Sequence, residues 1–284
     1  MAPAARKRAQ PLRGQVALVT GASRGLGKGI AEALGEAGAI VYVTGRTESA
    51  DSATVPLPGT IHDTARAVTE LGGTGIAVRC DHAVDADIAA VFERIQRERG
   101  RIDILANNAW AGYQAMQRGQ PGFQTTFWKL PPAVWDTMFQ VGVRSHYVAS
   151  VHAARMMTEQ GAGLIAFTSY SASERYVSNV AYGASKAAVD KMARDMAHEL
   201  RRAGVAVISL WPGVVNTEMV LARRGGQPLP HAESPRFVGR SIAALAADPA
   251  VMDKSGLTLR TRELSREYSF TDVDGGQPPL DKGL

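Results

Sequence analysis

Cysteine is nearly missing from this sequence. Cys80 stands alone among 284 residues, so no disulfide can form within the chain, and a reducing, cytoplasmic setting is expected. No histidine motif accompanies Cys80, which therefore reads as a buried thiol rather than a nucleophile. Long hydrophobic runs are missing too. No apolar stretch approaches the ~20 residues that span a bilayer, so no integral membrane segment is expected. Arg6, Lys7 and Arg8 lead into no apolar stretch, so no secretory leader is expected. His146 and His152 sit at poor spacing for one helical face and no cysteine or carboxylate cluster joins them, so no metal site is expected. The net charge is +5, but no helix-turn-helix or finger pattern goes with it. Residues 1–13, with Arg6, Lys7, Arg8 and Arg13, read as a flexible basic tail, and no nucleic-acid partner is expected.

Hydrophobic residues supply 45% of the chain, enough for a sizeable core. Their pattern alternates between strand-like and helix-like. Strands are expected at 16–20, 40–44, 76–79, 103–106, 164–168, 205–210 and 256–259, and helices at 25–38, 62–72, 85–99, 132–159, 180–203 and 235–247. This predicts an α/β fold: one Rossmann-type, doubly wound parallel sheet of about seven strands with helices on both faces. No internal repeat or dividing linker appears, so residues 1–284 read as a single domain. Three segments break the alternation: 47–60, 110–131 and 221–234. The last holds Gly225, Gly226, Pro228 and Pro230 and is expected to be a mobile substrate loop. Trp128 and Trp135, near Phe127 and Phe139, fit either core or a substrate pocket.

The segment Thr20-Gly21-Ala22-Ser23-Arg24-Gly25-Leu26-Gly27 follows the first strand and opens the first helix. Glycines here allow a tight turn, a close approach of backbone to a pyrophosphate, and close helix packing. The helix N-terminus adds free N–H groups and partial positive charge. The second strand ends Thr44-Gly45-Arg46 without the carboxylate that would hold a ribose hydroxyl. Arg46 and Arg24 suit a 2′-phosphate instead, so NADP(H) is the expected cofactor. Asp81, after the third strand, fits either an adenine amino group or a cap for the next helix.

Tyr182 and Lys186 are four apart at the start of a helix, on one face. A lysine ammonium there is expected to lower the tyrosine pKa and fit Tyr182 for proton transfer to or from a carbonyl/alcohol oxygen. Ser169, at the end of the fifth strand, is placed to hold that oxygen.

Together these motifs resemble the short-chain dehydrogenase/reductase family over residues 14–260. They are the 20–27 loop, Asp81, Asn107-Asn108-Ala109, Ser169, Tyr182, Lys186 and Pro212-Gly213-Val214-Val215-Asn216-Thr217. The resemblance implies Ser169, Tyr182 and Lys186 as catalytic residues and a small-molecule carbonyl or alcohol substrate, reduced as a ketone or aldehyde. It also implies that Asn107 lines the cofactor site, that Pro212, Gly213 and Val215 lie against the nicotinamide, and that Thr217 contacts its carboxamide. A homodimer or homotetramer is a further implication. Two positions depart from the family pattern. Trp110 stands where a glycine is usual. Gly142 replaces an asparagine whose carbonyl holds a water linking the lysine to solvent, and it is expected to bend its helix. These departures keep an alternative in play, an NADPH-binding sensor or scaffold with little turnover. The close Tyr–Lys spacing argues against an enoyl reductase.

Overall fold

The computed structural model describes residues 10–53, 55–113 and 124–280. The seven strands are β1 (Val16–Val19), β2 (Ile40–Gly45), β3 (Thr74–Arg79), β4 (Ile104–Asn107), β5 (Gly163–Thr168), β6 (Val205–Trp211) and β7 (Thr258–Arg260). They form one parallel sheet in the order β3-β2-β1-β4-β5-β6-β7. The chain steps outward one way from β1 to β3, then returns to lay β4 on the other side of β1. That reversal opens a crevice at the carboxyl ends of β1 and β4, where doubly wound sheets bind ligands.

Both faces of the sheet are buried, which is why its strands are almost continuously apolar. In β1, Ala17 and Val19 face one core and Val16 and Leu18 the other. The first core is covered by α1 (Gly25–Glu36), α2 (Ile61–Glu70) and α8 (Pro235–Ala247), through residues such as Ile30, Leu34, Val68 and Ile242. The second is covered by α3 (Asp85–Arg99), α5 (Ser145–Gln160) and α6 (Val180–Leu200), through Phe92, Ile95, Ala153 and Val189. Side-chain caps fix the helix starts. Thr60 accepts from the Asp63 amide, Asn179 from Tyr182 and Ser234 from Phe237.

The helix expected over 132–159 is two helices. α4 (Pro132–Phe139) and α5 are separated at Val141 (φ −116°, ψ 90°) and Gly142 (φ 148°, ψ −21°). The bend expected from Gly142 is thus a full break. The positive φ favours glycine there, and a Cβ on Gly142 would lie in tight contact, 3.0 Å, with Cδ1 of Trp110. Two short helices were not anticipated: α7 (Glu218–Arg223) and α9 (Thr261–Glu267). α7 takes the first residues of the loop expected over 221–234, and at the far end Glu233 is fully buried. The last strand begins at Thr258 rather than 256 because Gly256 turns there with φ 89°.

Of the expected basic tail, residues 1–9 lie outside the described residues. Leu12 is packed in the core, and its amide donates to the Ala37 carbonyl at 2.9 Å. Among the described residues no helix is long and apolar enough to cross a membrane.

Candidate active site

A cavity of about 400 Å³ runs along the carboxyl ends of the strands, from Arg46 and Asp81 at one end to Trp110, Tyr113 and Tyr182 at the other. Its middle is the turn after β1. Gly21 has φ 65°, and a Cβ on it would meet Cα of Ala109 at 2.7 Å. The Thr20 hydroxyl accepts from the amides of Asn108 (2.8 Å) and Ala109 (3.0 Å), and the Asn108 side chain donates to the carbonyls of Thr20 and Gly21. The loops after β1 and β4 are thereby locked together beneath the cavity.

Ser23, Arg24, Gly25 and Leu26 line the cavity as the sequence implied, and α1 begins there without a side-chain cap or an acidic first turn. The protein fills part of that anion site itself: the Gly25 amide donates to Oε2 of Glu218 at 2.8 Å. A carboxylate seated on this helix end shows that the cradle accepts an anion, and its chemistry fits the diphosphate of a dinucleotide. Two expected cofactor residues lie behind the wall. Gly27 packs on the Gly21 carbonyl and the Asn108 amide, so its role is close packing. Asn107 is fully buried and donates to Ser150 on α5, while Asn108 takes the place at the wall.

Arg24 and Arg46 share the end of the cavity beyond β2. Arg24 is tied to the 47–60 segment, donating to the carbonyls of Pro58 (3.2 Å) and Gly59 (2.9 Å). Arg46 faces Oδ2 of Asp81 at 3.7 Å. Asp81 does not cap α3, whose N-cap is Val84; its Oδ1 accepts from the amide of Ala83 at 3.0 Å. His82 also lines this end and escaped the sequence reading. Its Nε2 lies 3.0 Å from the Thr44 hydroxyl, and its Nδ1 lies 3.8 Å from Cys80 Sγ. Cys80 therefore has an imidazole neighbour, contrary to the expectation from the sequence. Burial nevertheless pushes the thiol up to about 12 and His82 down to about 4, so both are neutral.

At the other end β5 and α6 bring Ser169, Tyr182 and Lys186 to one wall. The Asn179 cap fixes the first turn of α6 through the Tyr182 amide. Lys186 Nζ lies 5.7 Å from the Tyr182 ring centre and donates to the Thr168 carbonyl at 3.1 Å. The Ser169 hydroxyl donates to the Lys186 carbonyl at 3.3 Å. The expected lowering of the Tyr182 pKa is reversed. Burial, and then the neighbouring Tyr170 and Tyr113, push the phenol up, so it stands protonated. Burial pushes Lys186 down to about 8, against the opposing pull of Asp190.

Trp110 packs edge-on against Tyr182 (ring centres 5.7 Å apart) and Tyr113 (4.9 Å). Pro212, Gly213, Val215 and Thr217 line the near side, and Thr217 also caps α7. Trp128 and Trp135 belong to neither core nor this cavity: they are 69% and 44% exposed.

The sequence profile described as short chain dehydrogenase matches residues 15–227. The chain belongs to the short-chain dehydrogenase family. It is 42% identical to mouse "Dehydrogenase/reductase SDR family member 1" over 93% of this chain and 85% of that one. The human protein of that name is 41% identical over 94% and 86%. Among solved structures, a 7α-hydroxysteroid dehydrogenase complexed with NADH and 7-oxo glycochenodeoxycholic acid superposes with a TM-score of 0.71 at 26% identity, covering 95% of this chain and 97% of that one. As a short-chain dehydrogenase/reductase the chain is an oxidoreductase, moving hydride between a nicotinamide cofactor and a carbonyl/alcohol pair.

Proposed function

We propose that this short-chain dehydrogenase is an NADP(H)-dependent reductase of ketones or aldehydes, with Ser169, Tyr182 and Lys186 as its catalytic residues. The convergence of those three side chains at one end of a cavity, with Arg46 and Arg24 at the other, carries this reading. Gly21, Ser23, Gly25 and Leu26 would hold the diphosphate, Arg46 the 2′-phosphate, and Pro212 to Thr217 the nicotinamide, which when bound supplies the hydride. The Ser169 hydroxyl turns from the Lys186 carbonyl to donate to the substrate oxygen. Tyr182 gives that oxygen its proton as carbon accepts the hydride. A phenol held neutral by burial suits this direction, since reduction starts from the protonated tyrosine. Lys186 holds positive charge beside the phenolate left behind. The rings of Trp110, Tyr113 and Tyr170 favour a carbonyl on a flat apolar body. A homodimer or homotetramer in the cytoplasm completes this reading.

The test is NADPH consumption against a panel of ketones, aldehydes, quinones and steroids, with Tyr182→Phe alongside. Turnover of a panel member, at least ~100-fold slower in Y182F with NADPH binding retained, is expected. NADPH binding without turnover on any member would favour the sensor reading.

A further inference from the structure

Two buried charges stand one turn apart on α6. Lys186 is 8% exposed and Asp190 5%. Being four residues apart on one helix, they share a face, the one packed on β5 and β6. The sheet fixes where each side chain ends. Lys186 Nζ donates to the Thr168 carbonyl at the end of β5. Thr168 is in register with Leu210 of β6, and Asp190 reaches the two residues that flank Leu210. Its Oδ1 accepts from the Ser209 hydroxyl, and its Oδ2 accepts from Trp211 Nε1 at 3.1 Å. Ammonium and carboxylate thus end on neighbouring strands, which in a sheet run about 4.8 Å apart.

The hydroxyl and the indole hold the carboxylate in place, but they are neutral donors and bring no positive charge to offset its burial. Lys186 likewise donates to a neutral carbonyl. Each charge is left for the other to balance across one helical turn, in an interior where little water screens it. The other groups around Lys186 supply no negative charge. Tyr182 on its own helix and His146 on α5 are held neutral by burial. α4 meets α6 through Val134 and Met138. The ends of β5 and β6 and the turn at Ser171–Ser173 offer hydroxyls, the Tyr170 phenol and the Trp211 indole, with no carboxylate among them. Burial pushes Lys186 down to about 8, and Asp190 pulls the other way.

We propose that Asp190 is a positioning residue for the reaction: its buried carboxylate, pinned by Ser209 and Trp211, is the counter-charge that keeps Lys186 an ammonium beside Tyr182. Its role in turnover rests on the reductase reading. When Tyr182 gives its proton to the substrate oxygen, the phenolate left behind is stabilised by that ammonium. A neutral Lys186 would leave the phenolate bare. Asp190 touches neither substrate nor cofactor in this scheme and acts through Lys186.

The experiment reads Lys186 directly. Lysine is labelled with 13C at Cε, and the Lys186 signal is assigned by its loss in Lys186→Met. That signal is then followed against pH in the wild type, Asp190→Asn and Asp190→Glu. The wild-type lysine should titrate at about 8. D190N keeps the shape and removes the charge, so its lysine should titrate at least ~1 pH unit lower, about a tenfold smaller ratio of ammonium to amine. D190E restores the charge and should recover most of that change. An unmoved lysine in D190N overturns the proposal, as does an equal change in D190E, which would reduce Asp190 to packing. Should D190N not fold, the wild type still decides: a Lys186 that is neutral at pH 7 has no working counter-charge. Kinetics give a second readout. From pH 6 to pH 8, kcat for carbonyl reduction should fall about twofold in the wild type and about tenfold in D190N, because the basic limb follows Lys186. A D190N that is uniformly slower, with the wild-type profile, overturns the proposal. A wild type that reduces no carbonyl sinks the reductase reading, while the lysine titration still decides the counter-charge. An active wild type whose lysine does not move in D190N sinks this inference alone.

Discussion

The backbone amide of Gly25, at the opening of α1, donates to the carboxylate of Glu218, 2.8 Å away on α7. An anion carried by the chain itself therefore sits on the helix end proposed for the cofactor diphosphate. The two negative groups compete for one donor and one helix dipole.

Glu218→Gln should tighten dinucleotide binding. An anion at a helix N-terminus is worth about 0.3–1 kcal/mol, so removing the competitor should lower Kd by roughly two- to fivefold. Titration of NADPH fluorescence on the wild type and E218Q reads this directly. A weaker-binding E218Q would mean that Glu218 helps to seat the cofactor instead of yielding to it.

Arg46→Ala should separate the two cofactors. A charged hydrogen bond is worth about 1.5–3 kcal/mol, so Kd for NADPH should rise ~10-fold or more while that for NADH stays nearly constant. Arg24→Ala should do less, because its donors already serve the Pro58 and Gly59 carbonyls. Equal losses for both cofactors in R46A would remove the basis for NADP(H).

Much of this was legible in the sequence because it depends on local pattern. Strand–helix alternation marks every strand of the sheet, and the 20–27 loop, Ser169, Tyr182 and Lys186 carry their spacing with them. What escaped depends on partners distant in the chain. Nothing local shows that Glu218 reaches Gly25, that His82 turns toward Cys80, or that Asn108 rather than Asn107 faces the cavity. The raised Tyr182 pKa was missed because it is first a burial effect, to which the neighbouring Tyr170 and Tyr113 add from other segments. Gly142 signalled a bend, but nothing local shows that Trp110, more than thirty positions earlier, lies against the break.

Acid should weaken the fold through two buried histidines. Burial holds His82 at about 4 and His146 at about 3, against the usual 6.5. Below pH 6.5 the unfolded chain binds protons that the folded chain refuses. Stability is thus fully present above 6.5 and is lost as pH falls toward 4. Each histidine contributes a slope of up to about 1.4 kcal/mol per pH unit. Urea unfolding of the wild type and His82→Asn at pH 7, 6 and 5 tests this. The variant should lose stability less steeply on acidification; parallel curves would show that His82 takes up its proton in the folded state.

Glu233 and Arg262 close the far side of the site. The Glu233 carboxylate is completely buried and accepts from Arg262 Nε (2.9 Å), the Thr261 hydroxyl (2.8 Å) and the Gly213 amide (2.8 Å). Burial pushes its pKa up, and these donors pull it back, Thr261 first and then Arg262. Arg262→Met leaves a buried carboxylate with its charged partner gone, which typically costs about 3–5 kcal/mol. Adding Glu233→Leu removes the stranded charge, so the double variant should regain part of that loss. Its Gly213 amide would still lack an acceptor, and Gly213 lines the cavity. The double variant should therefore recover stability in urea without recovering NADPH affinity. Full recovery of both would reduce Glu233 to a structural ion pair with no hold on the cofactor wall.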